Sequence, residues 1–306
     1  MPVSPKNIGM PFIYLLSLCL LGLILASLLI NYVVAPIYGL TTIEVQEISA
    51  NIRNNGTDSN ILFLKISQCI MAIGLFVFPP LFFWNFIQKD TPFTVDSSTP
   101  FAKINSIALG LILVIVVALQ PLIQLLAYAN ESFVFPSFLA NIETELKASQ
   151  LYQDTFQLVL LKTDSILGLV FNLVVIAILP AIGEELLFRG SMQKLLHQKL
   201  PPHLAIWITG FIFSSIHFQF YGFLPRWIMG AGLGYLFYYS NSLWYPIVAH
   251  FTNNAFTVIS VYFSTNPNDI ENKPDATTLL ITLLSVPILF FSIKIWLKKV
   301  QLPTII

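Results

Sequence analysis

Charge is scarce in this chain: 15 Lys and Arg and 15 Asp and Glu among 306 residues, 10% in all. The formal net charge is zero at pH 7, so there is no basic face of the kind nucleic acid requires, and nucleic acid is not an expected partner. Cysteine is nearly absent. Cys19 and Cys69 lie inside apolar stretches, make neither a metal-ligand spacing nor a disulfide framework, and read as packing residues. No internal repeat and no low-complexity linker is visible, and the chain reads as one membrane domain over 1–306. What is abundant is apolar surface: 56% hydrophobic residues, including 26 Phe. Mean hydropathy is +0.77, well outside a soluble mixture. The expected class is an all-α polytopic membrane protein.

Apolar stretches of about 20 residues, the length of a bilayer-crossing helix, occur eight times. They fall near 11–36, 61–87, 104–128, 165–188, 204–221, 222–240, 243–263 and 277–297. The first run is longer than the roughly 7–15 apolar residues of a signal-peptide core, and reads as a retained span. Positive-inside bias then orients the chain. Lys6, Lys89, Lys103, Lys194, Lys199, Lys294, Lys298 and Lys299 fall on one side. The other side carries Glu44, Glu47, Asp58, Glu131, Glu143, Glu145, Asp154, Asp164, Asp269, Glu271 and Asp275, against Arg53, Lys147, Lys162 and Lys273. Both termini are therefore expected in the cytoplasm, and a bacterial plasma membrane is the expected location. Between spans, residues 137–162 carry Leu139, Ile142, Leu146, Tyr152, Phe156 and Val159 at helical spacing. Ser137 is the expected N-cap of this amphipathic helix, which is expected to lie on the outer surface. The segment 38–60, with "NNGTDSN", reads as turn and loop.

Against this background the second half places polar groups where they are costly. An ionisable side chain on a spanning helix costs about 2.5–3.5 kcal/mol on insertion scales and usually faces a polar cavity. In "AIGEELLFRG", residues 181–190, Glu185 and Arg189 are four apart and share a helix face, while Glu184 is rotated by about 100°. Arg189 thus has one good partner, and the other carboxylate is left for proton transfer; the blander alternative is that all three snorkel toward water. His217 lies in "FIFSSIHF", one turn after Phe213. The prolines Pro201 and Pro202 mark a turn between two spans, with Glu184 17 residues before Pro201 and His217 16 after it, so an antiparallel hairpin sets the two level. In "HFTNN", His250 and Asn254 share a face and can donate two hydrogen bonds to one oxyanion; Asn253, rotated away, reads as helix glue. His197 and His203 flank the hairpin turn and are expected to be solvated, Gly230 and Gly234 to serve close helix packing, and Arg226 to snorkel outward, though it could meet a substrate. Pro79 with Pro80, and Gln120 with Pro121, suggest kinks.

Together these residues resemble the CAAX-processing and bacteriocin-processing family of intramembrane proteases, which includes the Ras-converting endopeptidase. The family's three motifs are met by Glu184-Glu185-Leu-Leu-Phe-Arg189, Phe213-Ser-Ser-Ile-His217 and His250-Phe-Thr-Asn-Asn254, over about 165–260. The resemblance implies a glutamate-type endopeptidase acting near the end of a membrane-associated peptide or protein, with or without a lipid, and needing no cofactor. It implies Glu184 as the base that activates water with help from His217, His250 and Asn254 as oxyanion donors, and Glu185 with Arg189 as a brace. Three alternatives remain open at this point. Glu184, His217 and His250 could form a zinc site with an open position. Intramembrane Glu and His could relay protons in a transporter, although no inverted repeat is visible. The chain could also bind a peptide as an immunity or scaffold protein without cutting it.

Overall fold

The computed structural model describes residues 9–50, 52, 56–94, 104–264 and 274–300. Lys6, Arg53, Lys103, Asp269, Glu271 and Lys273, used above for orientation, lie outside the described residues, as do Asn54 and Asn55 of the expected turn. Among the described residues the chain is helical, without strands. We number its helices α1 (Gly9–Ile37), α2 (Thr42–Ala50), α3 (Asp58–Gln88), α4 (Ser106–Glu131) and α5 (Ala140–Leu161). There follow α6 (Ile166–His197), α7 (Pro202–Ser215), α8 (Phe223–Ser240), α9 (Trp244–Phe263) and α10 (Ala276–Lys299). Apart from its ends, a helix satisfies its backbone polar groups within the element, which is the condition for standing in lipid.

Five of these, α1, α3, α4, α6 and α10, are long and apolar enough to cross a membrane. Their outer faces stay apolar: Leu16, Leu20 and Ile24 form an exposed stripe on α1, and Leu280, Leu284 and Phe291 one on α10. The protein is an integral membrane protein. The other three expected spans appear as α7, α8 and α9 but are shorter or more polar than expected. The 14 residues of α7 extend only about 21 Å, against about 30 Å of hydrocarbon.

Two loops differ from expectation. Part of 38–60 is helical, as α2, and Thr41 with Glu44 closes its start reciprocally: Thr41 N donates to Glu44 Oε2 at 2.7 Å and Glu44 N to Thr41 Oγ1 at 3.3 Å. The amphipathic helix is present as α5, but Ser137 does not cap it. Ser137 instead opens a short 3-10 turn, Ser137–Leu139, and the capping position falls on Leu139, which offers no side-chain acceptor. Nor does α5 merely rest on the surface: Phe156, Val159 and Leu160 pack into a cluster with Ile48 and Phe63, and Leu161 joins Val258 and Val261.

Close backbone approaches set the packing around the site. A Cβ at Gly22 of α1 would come within 1.9 Å of the Gly74 carbonyl of α3. One at Gly210 of α7 would meet the Ala231 nitrogen at 2.9 Å and the Trp227 carbonyl at 3.1 Å. Gly230 and Gly234 serve close packing as expected, the first against Gly210 and Phe213, the second against Gln193 and Ile206. Pro79 and Pro80 sit between two widened π-helical turns, Ile73–Val77 and Phe83–Gln88, and the helix continues through them. Pro121 is carried inside α4.

Candidate active site

The acidic end of α6 runs into another widened turn. Residues Phe188–Gln193 are π-helical, a geometry that often marks functional sites. Ser191 Oγ donates to the Leu186 carbonyl at 2.9 Å across this turn and accepts from Trp84 Nε1 at 2.9 Å. The turn brings Arg189 and Gln193 against α8, where they donate to the carbonyls of Gly230 at 2.8 Å and Gly234 at 3.1 Å. Glycine on α8 leaves those carbonyls open to a second donor.

Arg189 also donates through Nη1 to Glu185 Oε1 at 2.6 Å, and both side chains are fully buried. His250 on α9 joins the pair, with its Nδ1 2.9 Å from the same carboxylate oxygen. A carboxylate only accepts, so this nitrogen carries the proton. Phe213 is the ring on which the group is assembled: it lies 4.7 Å from the Arg189 guanidinium and edge-on to His217 and His250, with centroids 5.1 and 5.9 Å apart. Glu185 is therefore committed to Arg189 and His250.

Glu184 is differently placed. Its Oε2 lies 3.8 Å from His250 Nε2, and its side chain keeps 12% exposure. It opens into a cavity of about 600 Å³, shared with Phe213, His217, His250 and Asn254. His217 stands not within a spanning helix, as expected, but in the turn after α7, whose last residue is Ser215. Its Nδ1 donates to the Phe213 carbonyl at 2.8 Å, which leaves Nε2 as an acceptor on the neutral ring. The α6–α7 hairpin about Pro201 does bring Glu184 and His217 to one cavity, but His217 is bonded to Phe213 instead. Asn253 behaves as helix glue, accepting from Gln120 Nε2 at 3.3 Å, and its Nδ2 lies 3.4 Å from Asn254 Oδ1.

Several residues of the cavity were not expected. Arg226 does not snorkel outward; it lines the cavity, and its Nη2 donates to Gln219 Oε1. The amphipathic α5 supplies a wall through Tyr152, Gln153, Phe156 and Gln157. The turn bearing His217 is held by Asn130 of α4, which donates to the Phe220 carbonyl and accepts from the Leu224 amide, both at 2.9 Å. Phe218 takes a left-handed backbone there, with φ of 52°, a costly conformation for a bulky residue. His197 is half-buried edge-on to Tyr238, not solvated, whereas His203 is exposed beside Tyr235.

Among the described residues no group of three or more His, Cys, Asp or Glu is placed to hold a metal ion.

Residues 166–256 match the family model described as type II CAAX prenyl endopeptidase Rce1-like. That segment is similar to the Rce1-like family. It begins and ends within a few residues of the 165–260 marked by the motifs, and contains all three of them. A relative found among curated proteins is "Uncharacterized protein YpbD" of Bacillus subtilis (strain 168), 26% identical over 99 residues. The alignment covers 30% of this chain and 47% of that protein, so the chain spans about half the length of the curated relative it matches. No solved structure matches. The matched segment spans α6 to α8 and the first part of α9, and α3 and α5 outside it complete the cavity through Gln68, Gln153 and Gln157.

Proposed function

We propose that the protein is an intramembrane endopeptidase of the glutamate type, cutting near the end of a membrane-associated peptide or protein. The observation that carries this reading is the division of labour between adjacent carboxylates: Glu185 is sealed against Arg189 and His250, while Glu184 faces the cavity. A general base needs a substrate-accessible carboxylate, and water between Glu184, His250 and His217 would be excluded from lipid by the surrounding helices.

In the reaction, Glu184 takes a proton from water as the oxygen attacks the scissile carbonyl carbon. The resulting oxyanion is held by the Asn254 amide N–H and by His250 Nε2–H. His250 can give that second bond only as the doubly protonated ring, because its Nδ1 proton is committed to Glu185. His217 Nε2 accepts from the attacking water and orients it. When the C–N bond breaks, Glu184 returns its proton to the leaving amine, and carboxylate and base are regenerated. No metal takes part in this scheme. Membrane helices, amide side chains along the cavity and the Rce1-like segment support a peptide substrate in a bilayer.

The test is cleavage of a quenched CAAX-type peptide, with and without a prenyl group, by the full chain in detergent. Wild type should cleave it, and Glu184→Gln should lower kcat by about 10²–10⁴-fold, the usual worth of a positioned base. Activity should survive a zinc chelator. Loss on chelation with recovery on adding zinc would overturn the glutamate-type reading.

A further inference from the structure

The cavity contains a cation that the scheme above does not use. Arg189 has a carboxylate partner in Glu185 and a second bond to the Gly230 carbonyl, with only its Nε left without a partner, whereas Arg226 has no carboxylate partner among the described residues. Its hydrogen bond runs from Nη2 to Gln219, and Nη1 is buried without a partner among the described residues. No carboxylate of the described residues lies within 4.0 Å of the guanidinium, although Glu184 is within electrostatic reach across the cavity. A guanidinium is a planar fork suited to two oxygens, and burying one of its donors without an acceptor is unfavourable. The surrounding chain holds it there. Gln219 and Arg226 flank the turn clamped by Asn130, and Gly222 leaves the room: a Cβ there would stand 3.0 Å from Nη2 and 3.4 Å from Nη1.

We infer that Arg226, braced by Gln219, is the anchor for the free C-terminal carboxylate of the peptide substrate. The assignment rests on the proteolytic reading of Glu184 and specifies which end of the substrate enters the cavity. Glu184 and Arg226 line the same cavity, so a substrate end held by Arg226 lies in the cavity that holds the base. Arg226 is a positioning and specificity residue, since it touches the substrate's end and not the reacting atoms.

The experiment compares one CAAX-type peptide in three forms: free acid, C-terminal amide, and amide with Asp as its last residue. Cleavage is followed with wild type, Arg226→Gln and Arg226→Lys. Binding of the labelled peptides is measured in parallel by fluorescence anisotropy on Glu184→Gln and on Glu184→Gln/Arg226→Gln, so that affinity is read without turnover. The expected result is that wild type prefers acid over amide by about tenfold or more, mainly through KM. Arg226→Gln should bring that ratio towards one, and Arg226→Lys should retain part of it. Anisotropy should show the same preference on Glu184→Gln and its loss in the double variant. Equal handling of acid and amide by the Arg226-containing proteins overturns the anchor, whether or not the peptide is cut. A preference for the Asp-terminated amide equal to that for the acid also overturns the terminal assignment. If wild type cleaves nothing while acid-selective binding through Arg226 persists, the anchor stands and the proteolytic reading falls.

Discussion

At the residue scale, the site separates a group that builds the cavity from groups that work in it. Arg189 is 0% exposed, has Glu185 as its charge partner and shares that carboxylate with His250. Removing one member of a buried ion pair leaves a charge without compensation, which costs about 3–5 kcal/mol. Arg189→Met should therefore lower thermal stability in detergent by that order and abolish activity through misassembly. Glu185→Gln/Arg189→Met should recover much of the stability, because both charges leave together. Glu184→Gln should unfold close to wild type while being inactive. Equal melting of Arg189→Met and Glu184→Gln would show that Arg189 does not brace the fold. Glu184, His217, His250 and Asn254, which share this cavity, stood out in the sequence because polar side chains in apolar runs are rare, whereas Gln68, Gln153 and Gln157 did not. Arg226 was legible as a charge but not in its direction, because snorkelling and inward turning look identical in sequence. What decides between them is the left-handed reversal at Phe218 and the Asn130 clamp, both of which depend on a distant helix.

At the scale of elements, two glycines of similar sequence context carry opposite predictions. Gly210 and Gly232 both lie within helices. A Cβ at Gly210 would press on backbone atoms of α8 at 2.9–3.2 Å, whereas one at Gly232 would meet nothing within 4 Å. Gly210→Ala should destabilise by about 1–3 kcal/mol, as overpacking does, and should weaken catalysis by moving the turn that bears His217. Gly232→Ala should be neutral or stabilising by up to about 1 kcal/mol, the helix-propensity gain of Ala over Gly. Thermal unfolding of the two variants checks this, and similar shifts for both would count against the close α7–α8 crossing. The run of glycines announced close packing at Gly230 and Gly234, but Gly210 on the facing helix was not marked, since its role depends on the partner it meets. The helices themselves were largely legible from hydropathy. The exceptions have local causes: the Thr41 and Glu44 box starts a helix in what reads as loop, and the 3-10 turn at Ser137 displaces a cap by two residues. The end of α7 at Ser215 was hidden because Ile216 and the aromatic residues after it are as apolar as the helix before them.

At the scale of the whole molecule, long-range hydrogen bonds show how the chain is threaded. Lys194 bonds Asp90, Leu243 N bonds the Phe93 carbonyl, Asn105 N bonds Tyr245 Oη, and Tyr245 packs on Trp296. These gather the end of α3, the start of α4, the end of α6, the start of α9 and the end of α10 at one face. Tyr152 bonds the Ser49 carbonyl, Gln153 the Phe218 carbonyl, and Asn130 the turn before α8, which gathers the opposite face. Short α7 and α8 thus form a complete excursion, and α1 begins on the face where α10 ends, since Leu15 packs with Trp84 and Leu195. Lysines 89, 194, 199, 298 and 299 lie on or beside the elements of that face and Glu44, Glu143, Glu145 and Asp164 on those of the other, and from positive-inside bias we propose that the lysine face is cytoplasmic. Single cysteines in a Cys19→Ser/Cys69→Ser background test this with a membrane-impermeant maleimide. Glu145→Cys should label in intact cells, and Lys199→Cys only after permeabilisation. The reverse pattern would invert the protein in its membrane, and labelling of both from outside would contradict the threading. The outcome also bears on the substrate. The α5 wall and the turn after α7 lie toward the acidic face while the α6–α7 hairpin opens on the other, so the sidedness of Glu145 and Lys199 fixes from which compartment a peptide's C-terminus must approach Arg226.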